Sequence, residues 1–368
     1  MTLPGSYLFS LLLLLLSMLC WGSWANTFKA TGKWRFELFY FDFAVGVFVA
    51  AVIAAFTFGT MGLDGFSVTD DLGLAGKRQD MFAFVAGGVF NLANMLIVAA
   101  ISVSGMAVAF PVGIGLALII GVSLSYLMHP VGSPLLLGGG CAAILLAIVF
   151  NSKAWRTYSR RQAKLERESA AAQVEAQPAA LPRTVTSKSK NKAKKKASSS
   201  KGLVLAMVGG ILMGLFYPLV ESAKEGENGL GPYTIGLIFA LGVLLSTFVF
   251  NLFFMNLPVQ GQAVDFSEYF QGKAKNHLLG LLGGMLWSTG AIANLVAARA
   301  EGPALVGPAV SYAMGQGATL ISALWGLIVW KEFAGAEGSV RTNIAIMLVL
   351  FVVGLAAVSV APLYGVAK

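Results

Sequence analysis

The sequence has little charge for its length. Only 12% of its 368 residues are charged, 57% are hydrophobic, and the mean hydropathy is +0.76. These values lie far from the balance of a soluble globular domain, so that class is excluded and water is not the main solvent of this chain.

Metal-ligating and disulfide-forming residues are also scarce. The two cysteines, Cys20 and Cys141, both fall inside apolar stretches and do not have the spacing of a zinc site. The two histidines, His129 and His277, are predicted at membrane interfaces on opposite sides, which argues against a shared metal site. We expect no metal and no cofactor, and a packing role for both cysteines.

Titratable side chains are nearly absent from the apolar stretches. A membrane-embedded enzyme needs a cluster of acids, histidines, a serine with its base or a metal site inside the membrane. The sequence offers no such cluster, so we expect that the protein is not an enzyme.

The chain does contain ten apolar stretches of about 20 residues, and 20 helical residues span a hydrocarbon core of roughly 30 Å. Strict alternation of apolar and polar residues is absent from all of them, which favours helices. No Lys or Arg precedes the first stretch, so we interpret it as a span rather than a signal peptide. The predicted spans are Tyr7 to Phe28, Phe41 to Gly59, Met81 to Ile101, Gly105 to Met128, Ser133 to Asn151, Gly202 to Glu221, Pro232 to Asn256, His277 to Ala298, Pro303 to Trp330 and Asn343 to Leu363.

Positive charge concentrates in one segment, which divides the chain. Of the 26 Lys and Arg, 14 lie in residues 152–201, so the net charge of +9 does not indicate nucleic-acid binding. We predict a five-helix unit over 1–151, a basic linker over 152–201 that is partly disordered, and a second five-helix unit over 202–368. The first part of the linker, Trp155 to Ala176, either continues span five as an amphipathic helix or is not helical. If it is helical, its basic residues would lie near anionic lipid headgroups; they are Arg160, Arg161, Lys164 and Arg167.

The same charges predict the orientation. With the linker in the cytoplasm, the inner loops hold 21 Lys and Arg and the outer loops and tail hold five. The positive-inside rule therefore predicts both termini outside, in an integral protein of the plasma (inner) membrane.

The two halves of the sequence echo each other. Gly46 pairs with Gly236 at an offset of 190 residues, Gly87-Gly88 with Gly283-Gly284 at 196, and Pro111 with Pro308 at 197. Five spans per half would turn the second half upside down relative to the first. Inverted repeats are typical of alternating-access transporters, whose substrate site lies near the midplane between the repeats.

Several segments resemble the ureide permeases of the drug/metabolite transporter superfamily. They include Tyr40-Phe41-Asp42, the stretch 54–59 (AAFTFG), the stretch 231–234 (GPYT), and Gln316 with Ser322 and Trp325-Gly326. The likeness covers nearly the whole chain. The stretches 20–24 (CWGSW) and 284–287 (GMLW) are also similar to the neighbouring glucose/ribose porter branch.

The resemblance implies a permease for ureides or nucleobases, coupled to protons, or for sugars in the second branch. One departure matters. Where the ureide permeases carry an acidic residue in span four and another in span nine, this chain has Phe110 and Ala313. The resemblance therefore leaves both the substrate and the coupling ion open.

Polar side chains deep in the spans are the candidate substrate contacts, because an unpartnered amide or hydroxyl is costly in hydrocarbon. Asn91 and Asn94 share one face of span three, and Tyr312, Gln316 and Thr319 share one face of span nine. Each set either binds a ligand or joins helices.

Span eight offers Ser288 and Asn294 as further candidates, with the same two alternatives. Trp21 in span one and Trp287 in span eight are candidates for stacking on a planar base or a sugar face. These residues place the predicted site between spans one, three, four, eight and nine.

Three residues are candidates for coupling or gating. Pro111 and Pro308 interrupt or begin helices, and such breaks mark either hinges or plain kinks. Asp42 is the acid nearest a span interior. Asp42 either binds a proton or the substrate, or it stabilises the first turn of span two through the helix dipole.

The sequence as a whole predicts an all-α polytopic membrane protein with ten spans in two inverted five-helix repeats. We expect a secondary active transporter that moves a small neutral polar metabolite, such as a ureide or nucleobase, by alternating access. A sugar transporter of the same superfamily is the first alternative, and a channel or structural membrane protein is the second. Its expected partners are that metabolite and the lipid bilayer.

Overall fold

The structure is a computed structural model that describes residues 1–175, 188–226, 228–258 and 262–364. For residues 106, 107, 110, 170–175 and 188–199 it describes the backbone alone. Over the described ranges the chain is helical and contains no strand. Residues 176–187 of the linker lie outside the described residues, whereas residues 188–201, in its predicted disordered part, are helical.

Ten helical segments within the described ranges are long and apolar enough to cross a membrane. The predicted ten-span, all-α polytopic fold is thus confirmed, and we number the spans one to ten. They are formed by the helices Tyr7–Ser23 with Ala25–Ala30, Phe36–Phe56 with Phe58–Met61, Lys77–Ser104, Met106–Met128, Pro134–Glu175, Lys188–Ser222, Pro232–Asn256, Ala274–Ala298, Pro308–Gly315 with Ala318–Leu324 and Trp325–Val329, and Ser339–Val360. Shorter helices lie at Val68–Leu74, Ser267–Phe270, Gly302–Ala304 and Ala361–Tyr364.

Local sequence signals set several helix ends. The Ser6 hydroxyl accepts a hydrogen bond from the Phe9 amide at 3.3 Å and caps span one. Gly105 has φ +79°, a conformation that glycine adopts without strain, and this single residue separates spans three and four. Pro232 begins span seven, at a position where the missing amide proton costs no helical hydrogen bond.

The helices of spans two, five and six extend beyond the predicted spans, and that of span six begins at Lys188 rather than at Gly202. Span two begins at Phe36 rather than Phe41, so Asp42 lies in its second turn and the predicted first-turn dipole role is wrong. Span five continues as one helix to Glu175, which confirms the helical continuation of the first part of the linker. Its basic residues, such as Arg160 and Lys164, are exposed, and Arg and Lys favour a helix, so the helix continues past the apolar stretch.

Glycines allow two pairs of spans to approach backbone to backbone. At each of four glycines an added Cβ would overlap a carbonyl oxygen of the facing helix. Gly46 meets Leu281 and Gly284 meets Phe43 between spans two and eight, while Gly87 meets Phe239 and Gly242 meets Phe84 between spans three and seven.

The contact between spans two and eight corresponds to the contact between spans seven and three in the other half. Gly46 and Gly242 are 196 residues apart, and Gly87 and Gly284 are 197 residues apart. The contacts therefore relate Gly46 to Gly242 rather than to Gly236. Other packed pairs correspond in the same way, since span three packs on span six and span eight packs on span one.

Candidate functional site

A cavity of about 520 Å³ lies among the spans and extends toward the side from which the linker emerges, called here the linker side. Its size is in the usual range for small-molecule sites. Spans one to six and eight to ten contribute to its wall. The lining includes Trp21, Trp24, Asn26, Phe28, Lys29, Phe90, Asn94, Val98, Asn151, Trp155, Phe216, Trp287, Tyr312, Gln316, Thr319, Trp330, Glu332 and Met347.

Aromatic rings form the closed end of this cavity. The Trp21 and Trp287 rings stack with centroids 5.9 Å apart, and the Trp21 indole N–H donates to the Trp287 carbonyl oxygen at 3.1 Å. Phe90 packs on Trp287 at 4.4 Å, and Phe239 stacks on it at 6.0 Å. A planar ligand could extend this stack.

Span nine is broken where it meets the cavity. Its helix ends at Gly315 and resumes at Ala318, and tighter hydrogen bonds from residue i+3 to residue i bridge the joint. Tyr312, Gln316 and Thr319 all line the cavity despite the break, as their spacing predicts. The Tyr312 hydroxyl donates to the Met213 carbonyl at 2.9 Å, whereas the Gln316 amide has no hydrogen-bond partner among the described residues.

Asn94 contributes a second polar group near the aromatic end. Its amide nitrogen donates to the Tyr40 hydroxyl at 3.0 Å, while its carbonyl oxygen has no partner in the described part of the chain. An acceptor from span three and an amide from span nine therefore face one cavity.

Charge lines the cavity only at the linker side. Among the described lining residues, Lys29 and Glu332 are the charged ones, and they form an ion pair with each other. The Lys29 ammonium lies 4.3 Å from the centroid of the Trp330 ring, whose N–H donates to Asn26 at 2.6 Å. Because the two charges are paired, the cavity suits a neutral ligand.

The opposite end is almost filled. A void of about 20 Å³ continues beyond the aromatic end, away from the linker side, and is lined by Tyr217, Val220, Ser288, Asn294 and Leu295 among others. Beyond it, buried Glu221 pairs with Lys224 at 2.7 Å, and His129 lies 3.9 Å from the same carboxylate. Of these two contacts, the one with His129 joins the end of span four to the end of span six on that side.

Three of the predicted substrate contacts do not line the cavity. The buried Asn91 amide accepts from Tyr40 at 2.9 Å and donates to Ser246 at 2.8 Å and to Thr247 at 3.1 Å. Asn294 accepts from Tyr217 and donates to the Ser311 carbonyl, each at 2.9 Å. This geometry favours the helix-joining alternative for both. Ser288 faces the small void instead.

The two prolines behave differently from each other. Pro111 lies inside the helix of span four, where it removes one helical hydrogen bond. Pro308 is the first residue of its helix, after Gly307 with φ +84°, and so begins a helix rather than interrupting one. Neither residue lines the cavity in the described structure.

Asp42 lies in a polar cluster on the linker side. Its carboxylate accepts from the Tyr269 hydroxyl at 2.6 Å and lies 2.8 Å from His277 Nδ1. Burial, followed by the hydrogen bond to Asp42 and the charge of that carboxylate, raises the pKa of Tyr269, so the phenol remains the donor. The cluster joins spans two and eight to the loop before span eight.

Sequence reasoning missed two groups in the cavity. The ion pair of Lys29 with Glu332 joins residues 303 positions apart, and no local pattern signals it. Asn151 lies at the end of the predicted span five, where a polar residue is ordinary. The sequence distinguishes it only weakly, because Asn256 likewise ends a long apolar stretch.

Comparison with known proteins gives two family matches that divide the chain. The ureide permease family model matches residues 39–201, and the sugar transport protein family model matches residues 182–361. Ureide permease 1 of Arabidopsis thaliana is 23% identical, covering 93% of this chain and 94% of the relative. Ureide permease 2 of the same plant is 23% identical over 96% of each chain, and ureide permease 4 is 21% identical.

A solved structure has the same overall fold. This crystal structure of another protein superposes with a TM-score of 0.52 over 95% of each chain, at 16% sequence identity. At that identity the likeness concerns the fold alone.

Proposed function

Because this chain is a ureide permease-like transporter of small metabolites, we propose that it carries a small, neutral, polar metabolite by alternating access, with a ureide or nucleobase as its substrate. The cavity on the linker side is the proposed substrate site. The observation that carries the proposal is a pair of corresponding spaces, one open and one nearly closed, that share Trp21 and Trp287.

Several lining residues of the two spaces correspond across the halves. Trp24, Asn94 and Val98 line the open cavity; 196 or 197 residues later, Val220, Ala291 and Leu295 line the closed void. An inverted repeat would produce this correspondence. It supports a transport cycle in which the linker-side cavity closes while its counterpart opens toward the other side.

The lining supports a neutral, planar substrate. The free Gln316 amide can donate to a carbonyl and accept from an N–H, and the Asn94 oxygen can accept a second N–H. Trp21 and Trp287 offer aromatic surface beside these groups. A ureide or nucleobase combines a planar ring with alternating N–H and C=O groups.

Proton coupling is part of the proposal. Phe110 and Ala313 replace the acids expected in spans four and nine, so the buried Asp42 with His277 is the proposed proton site. Asp42 is on span two and His277 is on span eight, so the pair joins the two halves. Protonation of the pair would therefore alter a contact between the halves, which move relative to each other in alternating access.

Uptake into proteoliposomes tests the function. We expect saturable uptake of a ureide such as allantoin, or of uracil, with competition by unlabelled substrate. Uptake that rises linearly with concentration and shows no competition would instead identify a channel. Absence of both uptake and binding for every probe would overturn the proposal.

A sugar substrate is the second candidate, because the sugar transport family model matches residues 182–361. That range includes Trp287, Tyr312 and Gln316 of the cavity wall. Glucose and ribose therefore belong in the same uptake and competition experiment, and competition by a sugar but not by allantoin or uracil would favour this candidate.

The orientation and compartment are also proposals. We propose a plasma membrane protein with the linker in the cytoplasm and both termini outside. Exposed Arg160 and Lys164 on the helical continuation of span five support contact with anionic lipid there. A cysteine at Ala163 should be shielded from impermeant reagents and one at Asn228 should react, in a background lacking Cys20 and Cys141.

A further inference from the structure

Asn151 is the first amide on the helix of span five, at the end of its apolar part. The helix before it, from Leu135 to Phe150, is almost entirely apolar and packs against spans four and ten. Asn151 and Trp155, one helical turn later, both line the cavity. Span five thus contributes an amide and an indole to the substrate cavity.

The Asn151 amide has no hydrogen-bond partner among the described residues, although the residue is only 9% exposed. Its amide atoms are not sealed in the protein interior, since they are absent from the fully enclosed unpaired atoms Ser17 Oγ, Asp80 Oδ1, Ser125 Oγ, Asn251 Oδ1 and Ser311 Oγ. An amide that is 9% exposed and makes no hydrogen bond to the described part of the protein gives the fold no stability that a leucine of similar size would lack. Stability alone therefore does not account for this residue.

A second unpaired group faces the same cavity from the other half. The Thr319 hydroxyl on span nine is in a residue only 6% exposed and also lacks a partner in the described structure. Gln316 lies three residues before it, at the joint of span nine. The cavity therefore presents free polar groups from both halves.

We propose that Asn151 is a second substrate-contact residue, which binds one amide edge of the ligand while Gln316 binds another. This inference rests on the proposed transport function and narrows the substrate class to neutral metabolites with C=O and N–H groups on more than one edge. Trp155 provides an aromatic face beside the Asn151 amide. Such a ligand would satisfy both buried amides at once.

The test compares Asn151→Leu with Asn256→Leu, which makes the same change at an exposed position at the end of span seven. Affinity for allantoin and uracil would be measured by calorimetry on purified protein, and KM by proteoliposome uptake. We expect Asn151→Leu to weaken affinity about tenfold and to keep or raise the melting temperature. Asn256→Leu should leave affinity unchanged.

Asn151→Asp provides a second variant, because an ionised carboxylate accepts hydrogen bonds but cannot donate them. It should weaken affinity as well. If Asn151→Leu and Asn256→Leu bind equally well, or if Asn151→Leu lowers only the melting temperature, the Asn151 assignment is overturned and the transport function stands. If the unmodified protein binds no probe, both proposals fall together.

Discussion

Trp21 and Trp287 join the two halves of the chain at the closed end of the cavity. The Trp21 N–H donates to the Trp287 carbonyl at 3.1 Å, and the rings stack 5.9 Å apart. One hydrogen bond and one stacked contact thus hold together residues separated by 266 positions. A substrate that enters from the linker side would reach this contact last, at the closed end of the cavity.

Trp21 should contribute to binding through its ring more than through its N–H. Trp21→Phe keeps an aromatic face and removes the hydrogen bond, so we expect at most a threefold loss of affinity. Trp21→Ala removes both and should weaken binding by about 1 to 3 kcal/mol, the usual range for stacking on an aromatic side chain. Calorimetry on both variants checks this, and equal affinities would show that the ring does not contact the ligand.

Gln316 should be a binding residue rather than a helix contact. Gln316→Ala should weaken binding by about 1 to 3 kcal/mol and leave the melting temperature nearly unchanged, because the amide has no protein partner to lose. Gln316→Glu should be worse for a ligand that presents a carbonyl. Gln271→Ala, in an exposed loop, is the matched control. A lower melting temperature with unchanged affinity would assign Gln316 to packing.

Asn91 should behave in the opposite way. Asn91→Leu breaks bonds to Tyr40, Ser246 and Thr247 and leaves buried groups unpaired, so the free energy of unfolding should fall by about 1 to 3 kcal/mol. Affinity in the protein that remains folded should be unchanged. Thermal unfolding in detergent with and without ligand separates the two effects, and a selective loss of affinity would return Asn91 to the binding site.

The contact between spans two and eight should not tolerate a methyl group. Gly284→Ala places a Cβ against the Phe43 carbonyl, so we expect a lower melting temperature or loss of folded protein. Gly138→Ala on span five has open space around the new Cβ and is the matched control, with an expected gain in helix stability of up to about 1 kcal/mol. Equal melting temperatures would mean that the spans separate at little cost.

Asp42 should couple transport to the proton gradient without contacting substrate. Asp42→Asn keeps an acceptor for the Tyr269 hydroxyl but removes the charge, so uptake should no longer respond to an imposed pH gradient. Substrate affinity should remain within about threefold, since Asp42 lies outside the cavity lining. His277→Gln is the companion variant. Gradient-dependent uptake that survives in both variants would rule out this pair as the coupling site.

Much of the site could be predicted from spacing along single spans. Tyr312, Gln316 and Thr319 share one face, and the structure places all three on the cavity. The same reasoning could not separate Asn91 from Asn94, because helical phase fixes a face but not what the neighbouring helix offers. Only the approach of span seven, with Ser246 and Thr247, satisfies Asn91 and leaves Asn94 with a free oxygen.

The sequence by itself determined the ten spans and the all-α membrane fold. The length and apolarity of each stretch are local properties, and the hydrocarbon core requires about 20 apolar residues with every backbone hydrogen bond made within the helix. Tertiary structure alone decided the partners of Asp42, the pairing of Lys29 with Glu332 and the unpaired state of Asn151. Those features depend on which helices meet and at what depth. Such contacts join residues far apart in the chain, so no local pattern specifies them.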